Sequence, residues 1–159
     1  MPLVINGWTL LYHPVFGDRY AALRDRVKIL KSTLTEAEYC KHPDVKLFAS
    51  VYRALMEIVP GDPNRPDFLL KRDLAKFRRV KGHGLPPRYR LFYVFANEAK
   101  LIIFLYLNAT DTLRKEGART DPYEVFKDLV DSGRIGSNFE KALAQWHAAH
   151  KPQDGTFRG

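Results

Sequence analysis

Cysteine, long apolar runs and acidic residues are scarce in this sequence of 159 residues. The single cysteine, Cys40, excludes a disulfide within the chain and is typical of proteins of the reducing cytosol. No stretch approaches the about 18 uninterrupted apolar residues of a membrane-spanning helix. Residues 1–15 lack the basic start and the apolar run of a signal peptide. These absences predict a cytoplasmic protein without a membrane partner.

Basic residues outnumber acidic ones, 26 Lys and Arg against 18 Asp and Glu, which gives a net charge of +8. Such an excess favours a polyanion such as RNA or DNA as the partner. A length of 159 residues with 45% hydrophobic content suffices for one domain with its own core. We therefore expect one domain over residues 1–150. Residues 151–159 are polar with proline and glycine, and we expect a flexible tail there.

Two stretches in the first third of the chain have the apolar spacing of amphipathic helices. The first covers residues 16–30, and we interpret the charges on its other faces, Arg19 among them, as a solvated surface. The second covers residues 47–58, and Pro43 before it either begins a new helix or interrupts one. Residues 60–66 contain three prolines and a glycine, so we expect a surface loop without helix.

The middle of the chain has the pattern of a β-hairpin. Residues 88–96 and 100–108 are rich in aromatic and aliphatic side chains and are joined by a short polar link. Residues 101–107 carry no charge, which predicts a central strand covered on both faces. Shorter strands are predicted at Trp8–Tyr12 and Phe77–Lys81.

The C-terminal third contains two helix starts. Asp121 before Pro122, with Glu124 following, is typical of a capped first turn. Ser137 with Glu140 predicts the cap of a last helix. The predicted fold class is α+β, with two N-terminal helices packed on a small, twisted, antiparallel-rich sheet and one or two C-terminal helices.

Residues 71–90 are the most basic part of the chain, with eight cations and only Asp73 as an acid. Because like charges at this density repel each other, we favour an anion-binding site over a merely solvated surface. Arginine suits phosphate because its planar fork donates two parallel hydrogen bonds.

The hairpin offers a way to gather these cations on one face of the sheet. In one register, Arg90 lies opposite Tyr106 and Arg88 lies opposite Asn108, with all four on the same face. Tyr106 could then stack on an RNA base. The neighbouring strand would bring two further cations to this surface, Arg79 and Lys81.

Several short motifs follow one another along the chain: Asn6-Gly7-Trp8 with His13-Pro14, Arg79-Val80-Lys81, Arg88-Tyr89-Arg90-Leu91-Phe92, Asn108 with Thr112-Leu113-Arg114, and Thr120-Asp121 with Tyr123 and Val125-Phe126. In residue type, order and spacing this series resembles the YhaV toxins, members of the RelE superfamily of bacterial toxin–antitoxin systems. The resemblance covers about residue 6 to residue 150. It implies a RelE-type α+β domain and a metal-independent endoribonuclease that cleaves messenger RNA on translating ribosomes, with no cofactor. It also implies a PrlF-like antitoxin, a small swapped-hairpin DNA-binding protein of AbrB type, through which the toxin would reach operator DNA.

The same resemblance implies that catalysis depends on Arg79 and His150. RNA cleavage without a metal needs a base, an acid and a cation at the phosphorane, and histidine and arginine can supply these. Lys81, Arg88 and Arg90 are assigned to the same catalytic group, where they would hold the RNA backbone. The other residues predicted to bind RNA are Arg72, Lys76, Arg78, Tyr106, Asn108, Arg114, Lys115 and Arg119.

Other interpretations stay open at this point. Without the resemblance, His150 is an ordinary surface residue at a helix end, and His147 with His150 could suggest a metal site. His83 could be functional or structural, Tyr106 could be a core aromatic, and His13 looks like a turn residue before proline. A non-catalytic nucleic-acid-binding module or co-repressor subunit is the alternative function, and a metal-dependent nuclease is a third.

Overall fold

A computed structural model describes residues 2–108 and 121–150 of the protein. The strands in this part are β1 (Leu3–Ile5), β2 (Trp8–Tyr12), β3 (Arg78–Val80), β4 (Leu91–Ala96) and β5 (Leu101–Leu107). The longer helices are α1 (Pro14–Thr33), α2 (Glu36–Lys41), α3 (Pro43–Arg53), α4 (Pro122–Asp131) and α5 (Phe139–Ala149). The predicted α+β class is confirmed. No helix among these residues is long and apolar enough to cross a membrane, and the predicted tail, residues 151–159, lies outside them.

The strands form one sheet in the order β1-β2-β5-β4-β3. β5 lies in the middle, parallel to β2 and antiparallel to β4, while the two outer pairs are antiparallel. A parallel pair needs a long connection, and the chain between β2 and β5 supplies one that contains α1 to α3. Ile102, Ile103, Phe104 and Leu105 are all fully buried, so the prediction of a central strand covered on both faces is confirmed.

The register of the hairpin differs from the predicted one. Phe92, rather than Arg90, lies opposite Tyr106, and a β-bulge beside Phe92 shifts the pairing by one residue. β4 begins only after Arg90, so Arg90 and Arg88 precede the strand and Arg88 has no strand pairing with Asn108. The predicted four-residue face therefore does not form, because the short polar link did not specify the register.

Helices cover both faces of the sheet. On one face, α1 and α3 pack on a core that contains Tyr93 and Phe104. On the other face, α4 and α5 pack on a core that contains Phe92 and Ile103. Successive side chains of a strand point to opposite faces, so adjacent residues such as Phe92 and Tyr93, or Ile103 and Phe104, belong to different cores.

The N-terminal helices resolve one alternative that the sequence left open and depart from prediction in one place. Pro43 begins a new helix, α3, after the short helix α2 has ended. Beyond α3 the chain continues through a π-helical turn, Ala54–Ile58, and a last turn that ends at Gly61. The prediction of a loop from Pro60 was therefore wrong for its first two residues. The wider turn precedes Pro60, whose ring would collide with a carbonyl of an ordinary helical turn.

The C-terminal helices have the predicted starts, with one correction. The Asp121 side chain accepts the Tyr123 N–H at 2.9 Å, and Pro122 is the first helical residue. The cap of α5 is Asn138, whose Oδ1 accepts the Lys141 N–H at 2.9 Å, and not Ser137 as predicted. Both residue types cap well, so the sequence did not separate them.

A buried polar contact joins the start of α1 to α5. His13 is 2% exposed; its Nδ1 accepts the Val15 N–H, and its Nε2 lies 2.6 Å from Gln145 Oε1. Because Nδ1 accepts, Nε2 carries the proton and the neutral ring donates to Gln145. The Gly136 N–H donates to the same oxygen at 2.7 Å, and a Cβ at Gly136 would meet the Ala142 nitrogen at 2.5 Å. His13 is thus the cap of α1 and part of the contact between the two ends of the domain.

We predict that stability falls as the pH drops from about 7 to about 5 through His13. Burial lowers the pKa of His13 below its usual 6.5, so below that value the unfolded chain binds a proton that the folded chain does not. The slope from one such group is at most about 1.4 kcal/mol per pH unit. His13→Asn keeps a capping acceptor and removes the titration, so it should flatten the pH dependence of urea unfolding. His42→Asn is the matched control, since His42 caps α3 in the same way but has no contact with Gln145. An equal change of slope in both variants would contradict the assignment.

Candidate nucleic-acid interface

Arg79 lies on the edge strand β3, opposite Phe92 of β4. Its Nη1 donates to the Asp67 carbonyl at 3.1 Å, and its guanidinium carbon lies 5.7 Å from the centroid of the Tyr123 ring. Its Nε is buried and has no hydrogen-bond partner in the described part of the chain. Arg79 is thus held by neutral groups, and no carboxylate of the described residues pairs with it.

Arg90 meets the same tyrosine from the loop before β4. Its Nε donates to the Tyr123 hydroxyl at 3.1 Å, its guanidinium carbon lies 5.9 Å from the ring centroid, and its Nη1 donates to the Tyr89 carbonyl at 2.9 Å. Within residues 2–108 and 121–150, neither Arg79 nor Arg90 forms an ion pair with a carboxylate. We call Arg79 and Arg90 the arginine pair. Two guanidinium groups meet at one aromatic ring, and no carboxylate of the described residues pairs with either. This arrangement suits an anion that binds between the two positive charges.

Tyr123 reaches the arginine pair because α4 is fixed on the sheet. Asp121 caps the helix at the Tyr123 N–H, and Phe126, one turn later, stacks on Phe92 at 4.2 Å between centroids. The Tyr123 ring packs edge-on against Phe92 at 5.6 Å. In the sequence, Tyr123 stood out only as one residue of a family motif near the start of a predicted helix. The available signal of its role was its position one helical turn before Phe126, which is buried.

Asn108 has a different role from the predicted RNA contact. Its side chain is fully buried; Oδ1 accepts the Arg90 N–H at 2.8 Å, and Nδ2 donates to the Arg88 carbonyl at 3.0 Å. Arg88 has a left-handed backbone, with φ of 75°. Asn108 therefore holds the loop that carries Arg88 and Arg90. It presents no surface to RNA in this conformation.

Arg19 belongs to this region, and its interpretation as part of a solvated helix face was wrong. The side chain is half-buried, and its Nη2 donates to the Asn108 carbonyl at 3.3 Å. Its position on α1 beside the apolar stripe gave no sign of this contact, because the end of β5 is distant in sequence.

The remaining predicted residues fall into three groups. Arg72, Lys76 and Lys81 are exposed on the basic segment, and Arg88 is exposed as well. Arg78 donates to Asn64 Oδ1 and lies over Phe95, and Tyr106 is half-buried against Phe92. Arg114, Lys115 and Arg119 lie outside the described residues.

His150 is not brought next to Arg79. It ends α5, where its ring stacks on Trp146 at 4.5 Å and its Nδ1 lies 2.8 Å from the Trp146 carbonyl. With Leu10 and Leu11 of β2 it lines a cavity of about 320 Å³. Arg79 lies on β3, three strand positions from β2, which corresponds to about 14 Å. The pair suggested by the resemblance is therefore separated across the sheet.

His83, whose role the sequence left open, supports the segment that holds Arg79. Its Nε2 lies 2.8 Å from Asp67 Oδ2, and Arg65 Nε donates to Oδ1 at 3.0 Å. The hydrogen bond from His83, with a further contribution from Arg65, lowers the pKa of the Asp67 carboxyl to about 2. The carboxylate thus binds these two residues, while only the Asp67 carbonyl binds Arg79. Asp67 was missed in the sequence, where nothing distinguishes it from other loop acids.

The family model and the relatives that match this chain belong to the same family. A family model described as a toxin with endonuclease activity, of a toxin–antitoxin system, matches residues 10–147. The chain is 33% identical over 155 residues to Toxin YhaV of Escherichia coli O6:H1 (strain CFT073) and to Ribonuclease toxin YhaV of Escherichia coli K12. Each alignment covers 94% of this chain and 98% of the relative. No solved structure matches the chain.

We predict that Asn108→Ala destabilises the protein by about 2–4 kcal/mol, since it leaves two backbone groups near Arg90 and Arg88 without their partner. Asn97→Ala, in the exposed link of the hairpin, is the control and should change the free energy of unfolding by less than about 0.5 kcal/mol. Urea unfolding of both variants measures the difference. A loss in Asn108→Ala no larger than in the control would contradict the role assigned to the buried amide.

Proposed function

The chain belongs to the YhaV family of toxins of toxin–antitoxin systems, a family with endonuclease activity, and we propose that it is an endoribonuclease that cleaves messenger RNA on translating ribosomes. Cleavage of the messenger would stop translation and arrest growth. The K12 relative is named a ribonuclease toxin, which supports RNA as the nucleic acid. The reaction proposed is metal-independent, with the charge of the phosphate met by side chains.

The observation that carries this proposal is the arginine pair at Tyr123. Arg79 and Arg90 lie 5.7 and 5.9 Å from the centroid of one ring, and both are held by neutral acceptors. Their positive charge is therefore available to a phosphate that enters between them. Charge that builds up on a phosphorane during strand cleavage is stabilised by guanidinium groups that are already in place.

The surrounding cations suit the backbone of an RNA strand. Arg72, Lys76, Lys81 and Arg88 are exposed near the pair in sequence, and we propose that they contact neighbouring phosphates. The geometry supports the arginine pair as the site of the scissile phosphate. It gives less support to His150 as the acid or base beside Arg79, because the two residues lie across the sheet from each other.

A toxin–antitoxin system implies a cognate antitoxin. We propose that this antitoxin is PrlF-like and covers the arginine pair, with acidic residues or an inserted strand or helix. Operator DNA would then be bound through the antitoxin, and the ribosome and messenger RNA would be the partners of the free toxin. A non-catalytic nucleic-acid-binding module would use the same cations, so the decision between the two functions requires a measurement of cleavage.

We predict that Arg79→Ala and Arg90→Ala each lower the rate of messenger cleavage on purified ribosomes by roughly 100- to 1,000-fold, the usual effect of removing one transition-state donor. Growth arrest on expression should be relieved in parallel. Arg24→Ala is the matched control, because Arg24 is an exposed arginine on α1 that forms an ion pair with Asp25 and lies outside the proposed site. If the wild-type protein binds RNA but cleaves none, the binding module is the correct function.

We also predict salt-sensitive binding to a 2′-O-methyl RNA, which resists cleavage. With about three phosphate contacts on a single strand, affinity should fall roughly 20-fold between 50 and 200 mM salt. Arg79→Ala should reduce the slope of log affinity against log salt by about 0.7. An affinity that does not change over this range would contradict a cationic RNA surface.

A further inference from the structure

The Tyr123 side chain contacts both members of the arginine pair: its hydroxyl binds Arg90, and Arg79 lies over its ring. Arg90 Nε donates to its oxygen at 3.1 Å, so that oxygen accepts and its own proton is left to donate elsewhere. Among the described residues, this hydroxyl makes no other hydrogen bond. The side chain is half-buried, so a substrate can reach it while the ring is held by the core.

The ring is positioned before any substrate binds. It packs at 85° against Phe92, a fully buried residue, and the first turn of α4 that carries it is capped by Asp121. Arg79 and Arg90 both lie over this ring. A phosphate between the two guanidinium groups would therefore have a phenol hydroxyl beside it, in a site where a negative charge is stabilised.

Building on the ribonuclease function proposed above, we propose that Tyr123 is the general acid that donates a proton to the leaving 5′-oxygen of the RNA. In the reaction, the 2′-oxygen bonds to phosphorus and loses its proton to solvent. The bond from phosphorus to the 5′-oxygen breaks with its electron pair on that oxygen, which takes the Tyr123 proton. The phenolate is stabilised by Arg79 and Arg90 and regains a proton from water. The products are a 2′,3′-cyclic phosphate and a 5′-hydroxyl end, and no oxidant or reductant is needed.

This assignment differs from one in which the tyrosine only supports the arginines. A supporting tyrosine would act through its packing on Phe92 and its contacts with the guanidinium groups; Tyr123→Phe keeps the ring contacts and loses only the hydrogen bond from Arg90. The hydroxyl alone is lost in that variant. A structural role would also act on every substrate equally, whereas an acid matters only when the leaving group needs a proton.

The test compares two messengers on purified ribosomes. One carries the ordinary linkage at the mapped cleavage site, and the other carries a single 5′-bridging sulfur, whose thiolate leaves without protonation. On the ordinary messenger, Tyr123→Phe should lower kcat roughly 100-fold or more with KM within about threefold of wild type. On the sulfur messenger, Tyr123→Phe and the wild type should cleave at the same rate. Arg79→Ala should be slow on both, because the phosphorane still needs its cation.

Tyr12→Phe is the matched control, since Tyr12 is a half-buried tyrosine of β2 that contacts neither arginine. It should cleave both messengers at the wild-type rate. Wild-type activity of Tyr123→Phe on the ordinary messenger would overturn the role of Tyr123 and leave the ribonuclease function intact. An equal loss on both messengers would also overturn it, in favour of a supporting ring. A wild-type protein that cleaves neither messenger would overturn the ribonuclease function itself.

Discussion

The stacking of Phe126 on Phe92 is the contact on which the site depends. The two rings lie 4.2 Å apart at 9° and are fully buried, one on α4 and the other on β4. Burial of each such side chain contributes on the order of 2–3 kcal/mol, and the aromatic contact adds to that. Because Tyr123 lies one turn before Phe126 on the same helix, the stack also decides where the phenol ring meets the two arginines. A hydrophobic contact thus determines the geometry of a polar site.

The protein satisfies its two central arginines with neutral groups. The partners of Arg79 and Arg90 are backbone carbonyls and the Tyr123 ring and hydroxyl. Asp67, the acid whose carbonyl binds Arg79, has its carboxylate bound to His83 and Arg65. A carboxylate on either guanidinium would cancel the charge that a phosphate needs. The absence of such a pair in the described residues keeps the local field positive and ready for an anion.

Features that depend on residues close together in sequence were predicted, whereas features that depend on contacts between distant residues were not. The central strand and the cap at Asp121 were predicted correctly, since each depends on neighbours in sequence. The hairpin register and the solvated position of Arg19 were predicted incorrectly, and the burial of Asn108 was not predicted. Ala96 pairs with Leu101, one residue away from the predicted register, and a β-bulge beside Phe92, where Leu105 of β5 has no opposite residue, moves the pairing by one residue more. These two shifts together place Phe92, and not an arginine, opposite Tyr106.

The sequence by itself determined the fold class, the basic segment and the family, because apolar spacing, charge and motif order are properties of the chain read in one direction. The sequence could name Arg79 and Arg90, but it did not indicate that Tyr123 contacts both of them. Only the tertiary structure brought Tyr123 to the arginine pair, took Asn108 out of contact with solvent, and separated His150 from Arg79. These outcomes depend on how α4 and α5 lie across the sheet, and that is decided by contacts between side chains far apart in sequence.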